Sequence, residues 1–322
     1  MIKLQEPKYV HMGGELRLWK DATIHVGCEA AIRGLNVYEG LKGYWQPDGG
    51  PFAVIQLRQH YDRLSRSARI LYLPFDFSFD YFKNAIVELA EALLQPDRDM
   101  WFRTTLFALQ GHWGEGTETD LVVTAYQHDQ KLPEPIDIGV SIWRRGSDLS
   151  LPPRIKTGTN YQPARLARIE GRARGCQDMV LLNEQGRVAE ATGAAILMVR
   201  DGKLSTTPAT EGALESVTID IIEALAHDMN IPFERRPIDR TELLVADEFA
   251  LCGTIGEVIP VKSIDGFALP KDAPIIRALQ TRYLKAIRGI EPHPSVERTV
   301  ISRQASGERR KSSNAIPELA TK

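Results

Sequence analysis

Cysteine is scarce in this 322-residue sequence: Cys28, Cys176 and Cys252 stand far apart and make no CxxC spacing. That argues against a disulfide framework and offers no zinc pattern, so a reduced, intracellular setting without a bound metal is expected. Charge of one sign is equally lacking. Lys and Arg number 40 against 42 Asp and Glu, a formal net charge of -2, so no overall basic field points to a nucleic acid or an anionic membrane surface. Long apolar runs are missing too: nothing approaches the roughly 20 residues of a membrane-spanning helix. Residues 1–7 lack the apolar stretch of a secretory signal, and a cytoplasmic protein with no membrane or nucleic-acid partner is expected. What is present is ordinary globular composition, 43% hydrophobic and 25% charged, in a length that suggests about two domains.

Leu57, Tyr61, Leu64, Ala68 and Leu71 recur at spacings of four and three, which predicts a helix with one apolar stripe. Phe82, Ile86, Leu89 and Leu93 repeat the pattern after Asp80, a favourable charge near a helix N-terminus. Residues 52–55, 100–107 and 120–126 read as strands, so residues 1–130 make a small α+β domain. Two prolines at Pro133 and Pro135 mark 131–135 as a linker. Beyond it, 136–143, 179–190 and 194–205 are β-like, and Asp201-Gly202 signals a hairpin turn. Helices are expected over about 216–229 and from Pro274 to Gly289. These elements define a larger, β-rich domain over 136–290, with a small-molecule site in the cleft between the domains. Residues 291–322 have no aromatic residue and little apolar period, so a disordered tail is expected, its Arg309-Arg310-Lys311 cluster solvated.

One lysine, Lys156, sits among small and hydroxyl residues in Thr157-Gly158-Thr159-Asn160-Tyr161, ahead of a helix opening near Pro163. Glu190 ends the β-like segment Gly186-Arg187-Val188-Ala189-Glu190, which can aim a carboxylate from a rigid element. Ser216-Val217-Thr218 opens a helix, and Gly253-Thr254-Ile255-Gly256 makes a small-residue turn after a strand; both offer free backbone N–H groups to a phosphate. Taken singly, each has an ordinary structural reading: a surface lysine, an exposed strand glutamate, a helix cap. Together, an amine, a carboxylate and two phosphate cradles are what pyridoxal 5'-phosphate (PLP) chemistry requires. The amine forms a Schiff base, the carboxylate keeps the pyridine nitrogen protonated, and the cradles anchor the phosphate.

The order and spacing of these segments, together with Val37 to Tyr44, His60-Tyr61-Asp62-Arg63-Leu64, Ala246-Asp247-Glu248 and Glu257 to Val261, resemble the class IV, fold-type IV PLP-dependent aminotransferases. The pattern over about residues 10–290 is similar to that of the branched-chain amino acid aminotransferases. The resemblance implies a two-domain α+β fold with a pseudo-barrel C-terminal domain, and a homodimer. It also implies transfer of an amino group between a branched-chain-like amino acid and a 2-oxo acid. Lys156 would be the Schiff-base lysine, Glu190 the pyridine partner and Tyr161 a donor to the ring oxygen, with Ser216, Val217, Thr218, Thr254 and Ile255 around the phosphate. Arg33, Tyr38, Lys42, Trp101 and Arg103 would line the substrate site, Lys42 and Arg103 being candidates for a substrate carboxylate. Four features depart from the family pattern. Gln56 stands where a phosphate-gripping arginine is usual, which implies either a weaker grip on the cofactor than a Gln56→Arg variant would have or compensation by Arg58. Gly193-Ala194-Ala195 replaces a Gly-Glu-Asn turn, Arg33 an aromatic residue and Trp101 a tyrosine. A PLP-dependent lyase of the aminodeoxychorismate lyase type, a D-amino acid transaminase, and a non-catalytic binding protein on the same scaffold are the alternatives.

Overall fold

The computed structural model describes residues 5–46 and 51–301. A first sheet is built from β1 (Tyr9–Met12), β2 (Glu15–Leu18), β3 (Asn36–Tyr44), β4 (Phe52–Ile55), β5 (Asp99–Gln110) and β6 (Glu118–His128), with β3, β5 and β6 pairing antiparallel along most of their length. A short α1 (Glu29–Arg33) leads into β3, while α2 (Leu57–Ile70) and α3 (Phe79–Leu93) pack on the sheet. Leu57, Leu64 and Ala68 of α2 and Phe82, Ile86 and Leu89 of α3 are buried in one core with Val37, Leu41, Phe102 and Leu106. Ser78 caps α3 by accepting the Tyr81 N–H at 3.1 Å. Besides its apolar stripe, α2 buries a polar row of His60, Arg63 and Ser67. Gly43 is required where it stands, because a Cβ there would lie 2.2 Å from Phe52 Cζ.

The second sheet contains β7 (Ile136–Arg144), β8 (Asp178–Leu182), β9 (Val188–Ala191), β10 (Ala195–Arg200), β11 (Lys203–Thr206), β12 (Phe233–Arg235), β13 (Glu248–Gly253), β14 (Glu257–Ile264) and β15 (Phe267–Ala268). Their order is β12-β11-β10-β13-β14-β7-β8-β9, with β15 on β14. Around it lie α4 (Gln162–Ala173), α5 (Val217–Asp228) and α6 (Pro274–Ile287). Leu225, Leu279 and Tyr283 from α5 and α6 form one core with Leu197 and Cys252, and a second core holds Ile138, Val180, Val188, Ile196, Phe249 and Leu251. Neighbouring residues of one strand, Ile196 and Leu197, thus enter different cores, which is why such strands are unbroken apolar runs rather than alternating ones. The β-like segment at 179–190 resolves into two paired strands, β8 and β9. Asp201 and Gly202 both take positive φ, 51° and 73°, and join β10 to β11 as a hairpin.

The expected disordered tail needs correction. Residues Arg298–Ile301 form β16, an antiparallel edge strand on β4 in the first sheet. The preceding Glu297 carboxylate accepts the Arg58 N–H in the first turn of α2 at 3.1 Å. A four-residue strand whose partner lies some 240 residues earlier leaves almost no periodic trace in the sequence. Residues 302–322, with the Arg309-Arg310-Lys311 cluster, lie outside the described residues. Among the described residues, no helix is long and apolar enough to cross a membrane, and no group of three or more His, Cys, Asp or Glu is placed to hold a metal ion.

Candidate active site

A cavity of about 690 Å³ lies between the two sheets, within the size range of small-molecule sites. Tyr38, Trp101 and Arg103 line it from β3 and β5 of the first sheet. Lys156, Tyr161, Glu190, Ser216, Thr254 and Ile255 line it from the second unit. The irregular segment carrying Lys156 is fixed by its backbone: the Tyr38 N–H donates to the Lys156 carbonyl at 2.9 Å, and the Lys156 N–H donates to Ser67 Oγ at 3.2 Å. Asn160 tightens the same turn by donating its amide to the carbonyls of Pro152 and Ile155. An irregular loop tied at this many points can present a side chain as firmly as a strand does.

Lys156 Nζ donates to Tyr161 Oη at 2.8 Å and lies 5.2 Å from the Tyr38 ring centre. Burial, assisted by the Arg63 charge and opposed by Tyr38, Glu39 and Glu190, lowers the Lys156 ammonium below its ordinary range and so favours a neutral amine. The Tyr161 phenol is pushed up to about 12 by burial and by the Glu190 carboxylate, so it stays protonated and can donate. Glu190, buried on β9, is clamped by two partners: Arg145 Nη2 at 2.8 Å on one oxygen and the Leu214 N–H at 3.0 Å on the other. Arg145 is itself anchored on the carbonyls of Asn160 and Gly212.

At the N-terminus of α5, Ser216 Oγ accepts the Ile219 N–H, and Thr218 Oγ1 lies 3.4 Å from Thr254 Oγ1. Val217, Thr218 and Thr254 line a second, water-sized void, and Thr254 also lines the main cavity. An amine lowered towards neutrality, an oriented carboxylate across the cavity and a helix N-terminus with two hydroxyls fit the aldehyde, pyridine nitrogen and phosphate of PLP.

Three predicted residues stand elsewhere. Arg33 is outside the cavity, paired one turn back with Glu29 at 2.6 Å and stacked on Trp113, because α1 turns it towards its own helix. Lys42, expected at a substrate carboxylate, is buried in the smaller void and bonded to Glu257 at 2.6 Å. Gln56 reaches the same void, but its amide is engaged by the C-terminal segment. Nε2 donates to the Ser295 carbonyl and to Gln59, and Oε1 accepts the Glu297 N–H at 2.6 Å. Arg58 does not line the void, and its exposed guanidinium pairs with Asp62.

Two features went unforeseen. Arg145 gives no signal in sequence, being one of two arginines at the end of β7. Below Lys156, Arg63 of α2 grips Glu39 of β3 with two bonds of 2.7 Å, His60 adds a third at 2.7 Å, and Arg63 also donates to the Glu215 carbonyl just ahead of α5. The signal for this cluster was a polar row on the buried face of an otherwise amphipathic helix.

Fold and site together fit a PLP-dependent enzyme, and the candidate lysine, glutamate and helix N-terminus lie with the second sheet. The model of the class IV amino-transferase family matches residues 36–264, and the chain belongs to this family. It is 34% identical to a probable branched-chain-amino-acid aminotransferase of Synechocystis sp., over 85% of this chain and 90% of that protein. Among solved structures, the branched-chain aminotransferase of Thermoproteus uzoniensis with norvaline superposes with a TM-score of 0.85 at 29% identity, covering 90% of this chain and 98% of that one. The PLP form of the Thermobaculum terrenum branched-chain amino acid aminotransferase gives 0.83 at 30% identity, covering 91% and 98%. The protein is a transaminase with PLP as its cofactor and the two-domain α+β fold of these relatives.

Proposed function

We propose that the chain moves an amino group between a branched-chain-like amino acid and a 2-oxo acid in the cavity between the two sheets, with Lys156 as its catalytic residue. The observation that carries this reading is one cavity holding the lowered Lys156 amine, the protonated Tyr161 phenol and the clamped Glu190 carboxylate. When bound, PLP supplies an aldehyde to take up the amine and a protonated ring that withdraws electrons from the substrate carbon. Lys156, its amine favoured in the neutral form, would hold the aldehyde end of the cofactor and, once free, would serve as the base that carries a proton at Nζ. Glu190, kept in place by Arg145 and the Leu214 N–H, holds the proton on the ring nitrogen. Tyr161 Oη would donate to the ring oxygen, and the α5 N-terminus with Ser216, Val217, Thr218, Thr254 and Ile255 would hold the phosphate.

Substrate is met by the wall from the first sheet. Arg103 has no carboxylate partner among the described residues and lies over the rings of Tyr38 and Trp101 at 5.3 and 4.9 Å. The Trp101 indole N–H is buried without an acceptor among the described residues. Both suit a substrate carboxylate, while Tyr38 and Ile255 offer the apolar surface for an aliphatic side chain. Residues 1–130 and 136–290 act as the two domains joined by 131–135. Exposed apolar side chains such as Val26, Ile32, Ile142 and Leu149 support a homodimer, to be checked by sedimentation, where twice the 36.0 kDa chain mass is expected.

Borohydride reduction of the PLP-loaded protein followed by peptide mapping should place a pyridoxyl adduct on Lys156. Lys156→Ala should keep the fold and lose turnover of leucine with 2-oxoglutarate; absence of any Lys156 adduct at saturating PLP would overturn the assignment. Pyruvate released from an amino acid without an added 2-oxo acid would indicate a lyase instead.

A further inference from the structure

The smaller void beside the α5 N-terminus poses a charge problem. A phosphate in the main cavity beside this void, where Thr254 lines both, brings about two negative charges, and the helix end with the Thr218 and Thr254 hydroxyls offers only partial positive charge. Gln56 is neutral and its amide is bound to Ser295, Gln59 and Glu297. Arg63 does not line this void, and its guanidinium is turned to Glu39 and the Glu215 carbonyl. His60 lines the void, but burial lowers its pKa and its Nδ1 is already bonded to Glu39, which leaves it a poor source of charge.

Lys42 is different. It lines this void with Thr218 and Thr254, its side chain is 3% exposed, and its one hydrogen bond among the described residues runs to Glu257. An ammonium has three N–H donors. One is used here, and the Tyr44 ring lies 5.0 Å away, so a buried cation with donors to spare stands in the wall of the phosphate end. Glu257 holds it from a backbone position with φ of 58°, a conformation uncommon for a residue with a side chain. Resting on the reading of the larger cavity as the cofactor site, we infer that Lys42 is the cation that binds the PLP phosphate, with Glu257 as the positioning residue that orients its ammonium. The arginine role that Gln56 cannot fill then passes from α2 to β3, and Gln56 is free to hold the C-terminal strand.

The test compares PLP with pyridoxal, which lacks the phosphate. Dissociation constants for both are measured by tryptophan fluorescence in the native protein, in Lys42→Met/Glu257→Gln, which removes both charges and leaves neither buried alone, and in Lys42→Arg. The double variant should lose about ten- to a hundred-fold in affinity for PLP while its affinity for pyridoxal stays within about two-fold, and Lys42→Arg should retain most of the preference for PLP. Equal losses for PLP and pyridoxal, or an unchanged preference in the double variant, would overturn the inference. Thermal unfolding of the cofactor-free variants shows whether they are folded; if the double variant is not, Lys42→Gln takes its place with the same expected outcomes. Failure of the native protein to form the Lys156 adduct would overturn the site reading itself, a result distinct from either.

Discussion

At the scale of the residue, the site works by pairing each charged group with a partner that sets its state. Lys156 is pushed towards neutrality by burial, and Glu190 is held by Arg145. Arg103 is the exception, a guanidinium over the rings of Tyr38 and Trp101 without a carboxylate among the described residues, and the proposed function gives it to substrate. Arg103→Ala should raise the KM for a dicarboxylic 2-oxo acid at least about ten-fold, the worth of a charge-assisted bond, while changing the KM for an apolar 2-oxo acid by much less. Steady-state kinetics with 2-oxoglutarate and 2-oxoisocaproate separate the two outcomes, and equal effects on both would assign Arg103 a structural role. Lys156, Tyr161 and Glu190 were legible as candidates because they sit in short segments with distinctive neighbours. Arg145 was not, since what ties it to the candidate site is a contact with Glu190, 45 positions further along the chain.

At the scale of the element, α2 joins the void beside the α5 N-terminus to β16. Its N-terminal residue Gln56, in the left-handed region at φ 57°, accepts from and donates to the segment at 295–297, while Glu297 caps the helix in return. An arginine has no acceptor. Gln56→Arg should therefore leave the Glu297 N–H unpaired, lower the stability by about 1–3 kcal/mol, and expose the segment after α6 to proteolysis, rather than simply tighten the cofactor. Thermal unfolding and limited trypsin digestion of the cofactor-free variant measure this; unchanged melting and cleavage would show that the amide does not hold the strand. The family comparison alone pointed the other way, because a position read against one pattern says nothing of a partner strand outside that pattern. The apolar stripes of α2 and α3, by contrast, were legible almost residue by residue, since helical periodicity is a local property.

At the scale of the whole molecule, the charges buried between the first sheet, α2 and the lysine segment couple stability to pH. Burial alone would raise the Glu39 carboxyl, but Arg63 and His60 outweigh it and hold it at about 2, below its ordinary 4.5. A carboxyl lowered in the folded state contributes stability that is fully present above about pH 4.5 and is lost as the pH falls towards 2, on the order of 3 kcal/mol in all. His60, lowered by burial from 6.5, acts with the same sign, so its contribution begins to fall below about pH 6.5. Urea unfolding across this range should show stability dropping steadily on the acid side. Glu39→Gln should cost about 3–5 kcal/mol at neutral pH, since it leaves Arg63 buried without its partner, and should flatten the acid limb. An acid limb as steep as that of the native protein would place the titrating group elsewhere.

The sequence by itself determined the local terms: the stripes of α2, α3 and α6, the Ser216 cap, the Asp201-Gly202 hairpin, the α+β class, and the candidacy of Lys156, Tyr161 and Glu190. Each rests on interactions within a few positions, where backbone geometry dictates the spacing of side chains. Only the tertiary structure decided that Lys42 belongs with Glu257, Gln56 with Glu297, Arg63 with Glu39 and Arg145 with Glu190, and that Arg33 lies outside the cavity. These are pairings of buried polar groups. Desolvation makes such a group costly unless it is matched, and the match is set by which strands and helices meet in space, a choice that propensity, periodicity and composition do not record.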